Sequence, residues 1–132
     1  MKLELDLGAG HRYRIAAYGP GHIEVAGQIH SSGILVCAHE VVSPWGPESI
    51  ADLSDRDMDA VTARQPEIVL LGTGATLVFP DPRHMARLAA GGIGMEVMDT
   101  GAACRSFNFL VGEGRLVIAA LLQIGAVDPS PR

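Results

Sequence analysis

Glu67-Ile68-Val69-Leu70-Leu71-Gly72-Thr73-Gly74 is the stretch on which the fold turns. Its apolar run is too short for a helix and too unbroken for a strand with one wet face. It therefore predicts a strand over 67–71 buried on both sides. Such a strand needs helices to cover it, and both flanks supply them. Upstream, Ser54 is a good N-cap with Asp57 three residues on, and Leu53 and Met58 stand where a hydrophobic staple would hold the entry. With Pro66 as the stop, a helix is predicted over 55–64. Downstream, Asp81 as cap, Pro82 in the first position and Gly91-Gly92 at the end predict a helix over 82–90, with Met85, Leu88 and Ala89 on its inner face. Met95-Glu96-Val97-Met98 gives a strand over 95–98, Asp99 caps a helix over 100–111, and a last strand covers 116–122. This alternation is the pattern of an α/β layer with crossover connections, so strands 67–71 and 95–98 should be parallel neighbours.

Toward the amino terminus the period falls to two. Tyr13, Ile15 and Ala17 share one face, Gly19-Pro20-Gly21 turns the chain, and Ile23 and Val25 share another, which is an antiparallel hairpin. Gly27 and Ser31-Ser32-Gly33 punctuate the chain before Ile34-Leu35-Val36-Cys37, a second strand buried on both faces. Between Pro44 and Pro47 the chain must loop, and Trp45 there is taken as a lid on the core rather than an exposed anchor for a partner. The expected fold is a single three-layer α/β domain over 1–127. It has a central mixed, partly parallel sheet, helices on its faces, an N-terminal β-hairpin region, and a frayed tail at 128–132.

Composition narrows the function. A chain of 132 residues builds one hydrophobic core, and 48% hydrophobic against 19% charged residues lets that core fold alone. The net charge is -5, and nine of the ten basic residues are scattered arginines. Nothing is gathered to neutralise a phosphate backbone, so no nucleic-acid partner is expected. The most apolar stretch, 116–127, is broken by Gln123 and falls short of the roughly 20 residues a bilayer span needs. The start, Met1-Lys2-Leu3-Glu4-Leu5-Asp6, has no apolar signal core. With only Cys37 and Cys104, that favours reduced thiols in a cytoplasm. The histidines His11, His22, His30, His39 and His84 lack metal-ligand spacing and lie scattered between elements, so neither a metal nor a cofactor is expected.

Open α/β sheets bind ligands beyond the carboxyl ends of their parallel strands. Gly72-Thr73-Gly74 and Asp99-Thr100-Gly101 arrive together at that edge. Glycines allow close backbone approach, and the free N–H groups after Asp99 can hold an anion or a carbonyl oxygen. The same glycines also suit a tight turn, and the segment lacks the third glycine of a dinucleotide fingerprint and the lysine of a phosphate loop. On the third helix, Ala103, Phe107, Leu110 and Val111 face the sheet, Cys104 and Asn108 form a ridge at its border, and Gly101 continues that ridge as a gap. Cys104 is either an activated thiol near a helix start, with Asn108 to orient a carbonyl, or a small inert hydrophobe. Arg105 either reaches an anion or pairs with Asp99 or Glu113. The candidate ligand-binding residues are Gly72, Thr73, Gly74, Asp99, Thr100, Cys104, Arg105 and Asn108; no catalytic residue is assigned.

Val25-Ala26-Gly27, Trp45, Gly72-Thr73-Gly74, Met98-Asp99-Thr100, Ala103-Cys104-Arg105-Ser106-Phe107-Asn108, Glu113-Gly114-Arg115 and Ala119-Ala120-Leu121 resemble, as an ordered set, one family. It is the family of small Mth-like domains of unknown function to which the mitochondrial respiratory complex I assembly factor three and the adipogenesis-associated Mth-domain protein belong. The resemblance implies a three-layer α/β fold with a central mixed sheet. For the mitochondrial members it implies an accessory role in building the membrane NADH dehydrogenase, without known catalytic activity. This chain departs from the pattern at Ala26, Ser106 and Phe107, where Asn, Thr and Tyr are usual. The functional expectation is a non-enzymatic accessory or assembly protein that binds another protein, a respiratory or membrane-associated subunit. The alternative is an enzyme or sensor for a small anionic or carbonyl compound at the edge formed by Gly72 and Asp99.

Overall fold

The computed structural model describes residues 12–125, so the tail expected at 128–132 lies outside the described residues. Among the described residues the strands form two sheets. β1 (Ile15–Gly19), β2 (His22–Val25) and β3 (Gln28–His30) form a three-stranded antiparallel sheet in that order. β4 (Ile34–Val36), β5 (Val41–Val42), β6 (Ile68–Gly72), β7 (Gly94–Met98) and β8 (Val117–Leu121) form a mixed sheet ordered β5-β4-β8-β6-β7. The decisive strand β6 is parallel to β7 on one side and to β8 on the other, while β4 runs antiparallel to β8. Helices α1 (Asp55–Thr62), α2 (Pro82–Ala90) and α3 (Thr100–Gly112) make the crossovers, and a single 3-10 turn spans Ile50–Asp52.

Side-chain alternation in the mixed sheet sets the layers. Val117, Ala119 and Leu121 of β8, with Leu70 of β6, pack with Phe107 and Ala103 of α3 and with Ile15, Ile23 and Val25 of the small sheet. Ile118 and Ala120, with Val69 and Leu71, pack with Met58 and Val61 of α1, Leu88 of α2 and Trp45. Each large side chain buried this way is worth roughly 1.5–3 kcal/mol relative to exposure. Trp45 is in the core, and its indole N–H donates to the Asp57 carbonyl at 2.9 Å. Phe107 is fully buried, an apolar place for the ring.

Local chemistry fixes the helix starts. Ser54 and Asp57 form a reciprocal capping box, Asp81 caps α2 with Pro82 in the first turn, and Asp99 caps α3. α2 is rotated relative to the expected face: His84 and Leu88 are buried, whereas Met85 and Ala89 are exposed. His84 thus lies within a helix, not between elements. Its Nε2 donates to the Leu53 carbonyl at 3.1 Å, so a backbone acceptor at the entry to α1 gains a partner that methionine would not give. A β-bulge between Ile15 and Ala17 breaks the expected alternation of β1. The short strands β3 and β5 had no expectation attached to them. β2 and β3 are joined by a two-residue turn, Ala26 at φ 54° and Gly27 at φ 78°, between the paired Val25 and Gln28. Two positive φ values define the mirror-image turn that favours Asn-Gly, so Ala26 occupies a left-handed position without the polar side chain that suits it.

Candidate functional site

β6 and β7 deliver Gly72-Thr73-Gly74 and Asp99-Thr100 to the same edge, as their spacing indicates. There the two loops bind each other. Thr73 N–H donates to the Met98 carbonyl at 2.9 Å, and Thr100 N–H donates to the Gly74 carbonyl at 2.9 Å. The Thr100 hydroxyl, fully buried, accepts from Gly74 N–H at 2.8 Å and donates to the Leu122 carbonyl at 2.7 Å. Leu122 N–H closes the circuit on the Gly72 carbonyl at 2.9 Å. Gly72 has no room for a side chain: a Cβ would stand 2.9 Å from Thr100 Oγ1 and 3.0 Å from Leu121 Cδ2. These backbone groups, which in isolation would suit a ligand, are already satisfied from within.

Asp99 holds the start of α3 by accepting from Ala102 N–H at 2.9 Å. The gap at Gly101 is taken by Tyr18, whose ring carbon lies 3.0 Å from where a Cβ would be. Arg105 donates to the hydroxyl of the same Tyr18, not to Asp99 or Glu113, and its side chain borders an open hollow of about 400 Å³ with Glu96, Ser106, Phe109 and Leu110. Cys104 is not on a border ridge but fully buried, and burial pushes its thiol up to about 12, with Arg105 lowering and Asp99 raising it to lesser degrees. At neutral pH it is a protonated, inert sulfur. Asn108 spans to the small sheet: its carbonyl accepts from Ile15 N–H at 2.8 Å and its amide donates to the Ile15 carbonyl at 2.9 Å.

The structure therefore gathers Gly72, Thr73, Gly74, Asp99 and Thr100, and aligns Cys104, Arg105 and Asn108 along α3. It also displays two features without a sequence expectation. Above the edge, Leu77, Val78 and Phe79 are 50%, 44% and 69% exposed. Their loop is pinned by Thr73, whose hydroxyl donates to the Thr76 carbonyl at 2.6 Å and accepts from Val78 N–H at 3.0 Å. At the opposite edge of the sheet, a hollow of about 290 Å³ is lined by residues from three separate segments, among them Cys37, Arg64, Pro66 and Val117. Among the described residues, no group of three or more His, Cys, Asp or Glu is placed to hold a metal ion, and no helix is long and apolar enough to cross a membrane.

A solved structure shares this architecture, and other proteins resemble the chain in sequence. A Bordetella pertussis protein described as an Mth938-like domain has a solution structure that matches with a TM-score of 0.77 at 31% identity, covering 95% of this chain and 94% of that one. An uncharacterized protein of Rhodobacter capsulatus is 36% identical over 117 residues, 88% of this chain and 89% of its own. The NADH dehydrogenase (ubiquinone) 1 alpha subcomplex assembly factor 3 of Xenopus tropicalis is 31% identical over 113 residues; these are 76% of this chain and 62% of that protein, so the match spans less than two thirds of its length. Residues 15–122, from the first strand to the end of the mixed sheet, match the family described as protein of unknown function DUF498/DUF598, and the chain belongs to that family.

Proposed function

We propose that the protein is a non-enzymatic accessory or assembly protein of the cytoplasm that acts by binding another protein, a respiratory or membrane-associated subunit. The observation that carries this reading is the loop Leu77-Val78-Phe79, three consecutive apolar side chains held out in solvent from a base that Thr73 fixes. A large aromatic group on a preorganised loop is the kind of anchor that fills a partner's pocket, because little conformational freedom is lost on docking. The assembly-factor relatives are consistent with this role, and the acidic net charge of -5 speaks against nucleic acid as the partner. Affinity purification of the full chain from its native cell, set against a Leu77→Ser, Phe79→Ser double variant, tests the reading. Respiratory subunits should accompany the parent protein and be lost from the variant at an unchanged melting temperature. Equal recovery from both proteins sinks the proposal.

A second reading, a site for a small anionic ligand at the Gly72 and Asp99 edge, has one observation in its favour: Arg105 is exposed and held by a neutral hydroxyl rather than by a carboxylate. Thermal melts with a panel of small carboxylates and phosphates separate the two. A ligand-induced shift that Arg105→Leu abolishes supports this second site, whereas no shift in the parent protein and mere destabilisation in the variant removes it.

A further inference from the structure

The hollow at the other edge of the mixed sheet lies where β4 ends, β6 begins and the chain enters β8. Its interior is largely apolar: Val117 and Ile118 are buried, Ala38 and Pro66 stand beside them, and the exposed His39 also lines it. Leu116 stands at its side with 62% of its surface exposed. A volume of about 290 Å³ corresponds to roughly ten water-sized atoms. Gln65, at φ 48°, also lines it, so a residue in the left-handed region turns the chain between α1 and Pro66 there.

Its polar groups define what fits. Arg64 clasps Glu40 through two bonds, Nε to Oε1 at 3.0 Å and Nη2 to Oε2 at 2.9 Å, and Nη1 donates to the Ala60 carbonyl. Of the five N–H groups of a guanidinium, two are left without a protein acceptor among the described residues. The clasp is neutral as a unit, so an anion meets Glu40 and a cation meets Arg64. Cys37, half-buried in the same wall, has its thiol pushed up to about 11, first by burial and then by Glu40, and stays protonated at neutral pH. A largely apolar wall whose ion pair carries no net charge, with spare donors on one side, suits a ligand of matching polarity.

We propose that this hollow binds a small uncharged compound, mainly apolar and of about ten non-hydrogen atoms, whose single carbonyl oxygen accepts a hydrogen bond from Arg64. The site is independent of the Leu77-Val78-Phe79 loop and stands whether or not that loop binds a protein.

Octan-2-one serves as the probe, titrated into the isotope-labelled full chain, with octanoate and octylamine as charged analogues of the same length. The ketone should produce saturable amide shifts centred on residues 37–40, 64–66 and 116–118, and should slow alkylation of Cys37 by N-ethylmaleimide at pH 9. Both charged analogues should bind about tenfold more weakly or worse, from the lost or opposed charge-assisted hydrogen bond. Ala38→Leu, which narrows the hollow, should weaken the ketone. If that variant does not fold, the double change Glu40→Gln, Arg64→Met, at the exposed Glu40 and the partly buried Arg64, takes its place, with a loss of about tenfold expected. Non-saturating shifts, unchanged Cys37 alkylation, or binding indifferent to the variant overturn the site. Octanoate binding as well as the ketone overturns the assignment of an uncharged ligand.

Discussion

Where β6 ends, Gly72, Gly74, Thr100 and Leu122 commit their polar groups to one another; where β6 begins, a hollow of about 290 Å³ lies open beside Pro66 and Val117. The cysteines divide in the same way. Cys104, on the inner face of the helix at the first edge, is fully buried, whereas Cys37, in the wall of the second, is half-buried. The first edge has every mark that suggests a ligand site in an α/β sheet: glycines, a helix start and two convergent loops. The second has loops that meet but neither the glycines nor the helix start. The contrast shows that free backbone groups signal a site only if no neighbouring loop claims them, as the two loops meeting at the first edge do here.

The largest expected effect tests whether the first edge is closed for structural reasons. Thr100→Val keeps the shape of the side chain and removes the hydroxyl, leaving Gly74 N–H and the Leu122 carbonyl unpaired in the interior. Urea denaturation should show a loss of about 2–4 kcal/mol. Cys37→Ala at the open edge should lower stability by less than about 1 kcal/mol, because a half-buried side chain leaves little cavity. Equal losses would erase the contrast between the edges.

A smaller effect, of opposite sign, sharpens it by acting away from both. Ala26→Asn places at φ 54° a side chain that tolerates the left-handed region, and should stabilise the protein by about 0.5–1 kcal/mol. Amide shifts at residues 72–74 and 37–40 should stay where they are. A loss of stability would show that the turn between β2 and β3 is not the strained one.

The smallest effect belongs to the open edge. The hydrogen bonds from Arg64 hold the Glu40 carboxyl below its ordinary value, so the pair stabilises the fold above the usual carboxylate range and loses that contribution as pH falls through the lowered value. Glu40→Gln should therefore cost about 0.2–1 kcal/mol at neutral pH, the range for an exposed pair. As pH drops below 4.5, the ordinary value, the variant and parent should converge. A difference that persists in acid would mean that packing, not charge, holds the clasp.

Much of this fold was legible because its signals are local. Ser54 with Asp57, Asp81 with Pro82, and Asp99 each announce a helix start within four residues, and strands buried on both faces announce themselves by unbroken apolar runs. The inner face of α2 was not legible, since hydrophobicity ranks Met85 above His84 and knows nothing of the Leu53 carbonyl, 31 residues away, that needs a donor. β3 and β5 are too short to show a period. The membership of the first edge could be foreseen, but its closure could not: the Thr100 hydroxyl finds its acceptor 22 residues on, at the end of another strand. The exposed loop did leave a trace in the sequence, for Leu77-Val78-Phe79 is an apolar run between a glycine turn and a helix cap. The open hollow left none, because its walls come from segments that only the completed sheet brings together.

The paired bonds of Asn108 have a consequence beyond holding α3 to the small sheet. β1 is one of the two outer strands of that sheet, and an outer strand offers unpaired N–H and C=O groups to any extended chain that drifts past. At Ile15 both groups are taken by one side-chain amide, which supplies the donor and the acceptor that a foreign strand would bring. A helix residue thereby guards a sheet border that carries neither proline nor lysine within β1, and denies a growing fibril its first rung at that position.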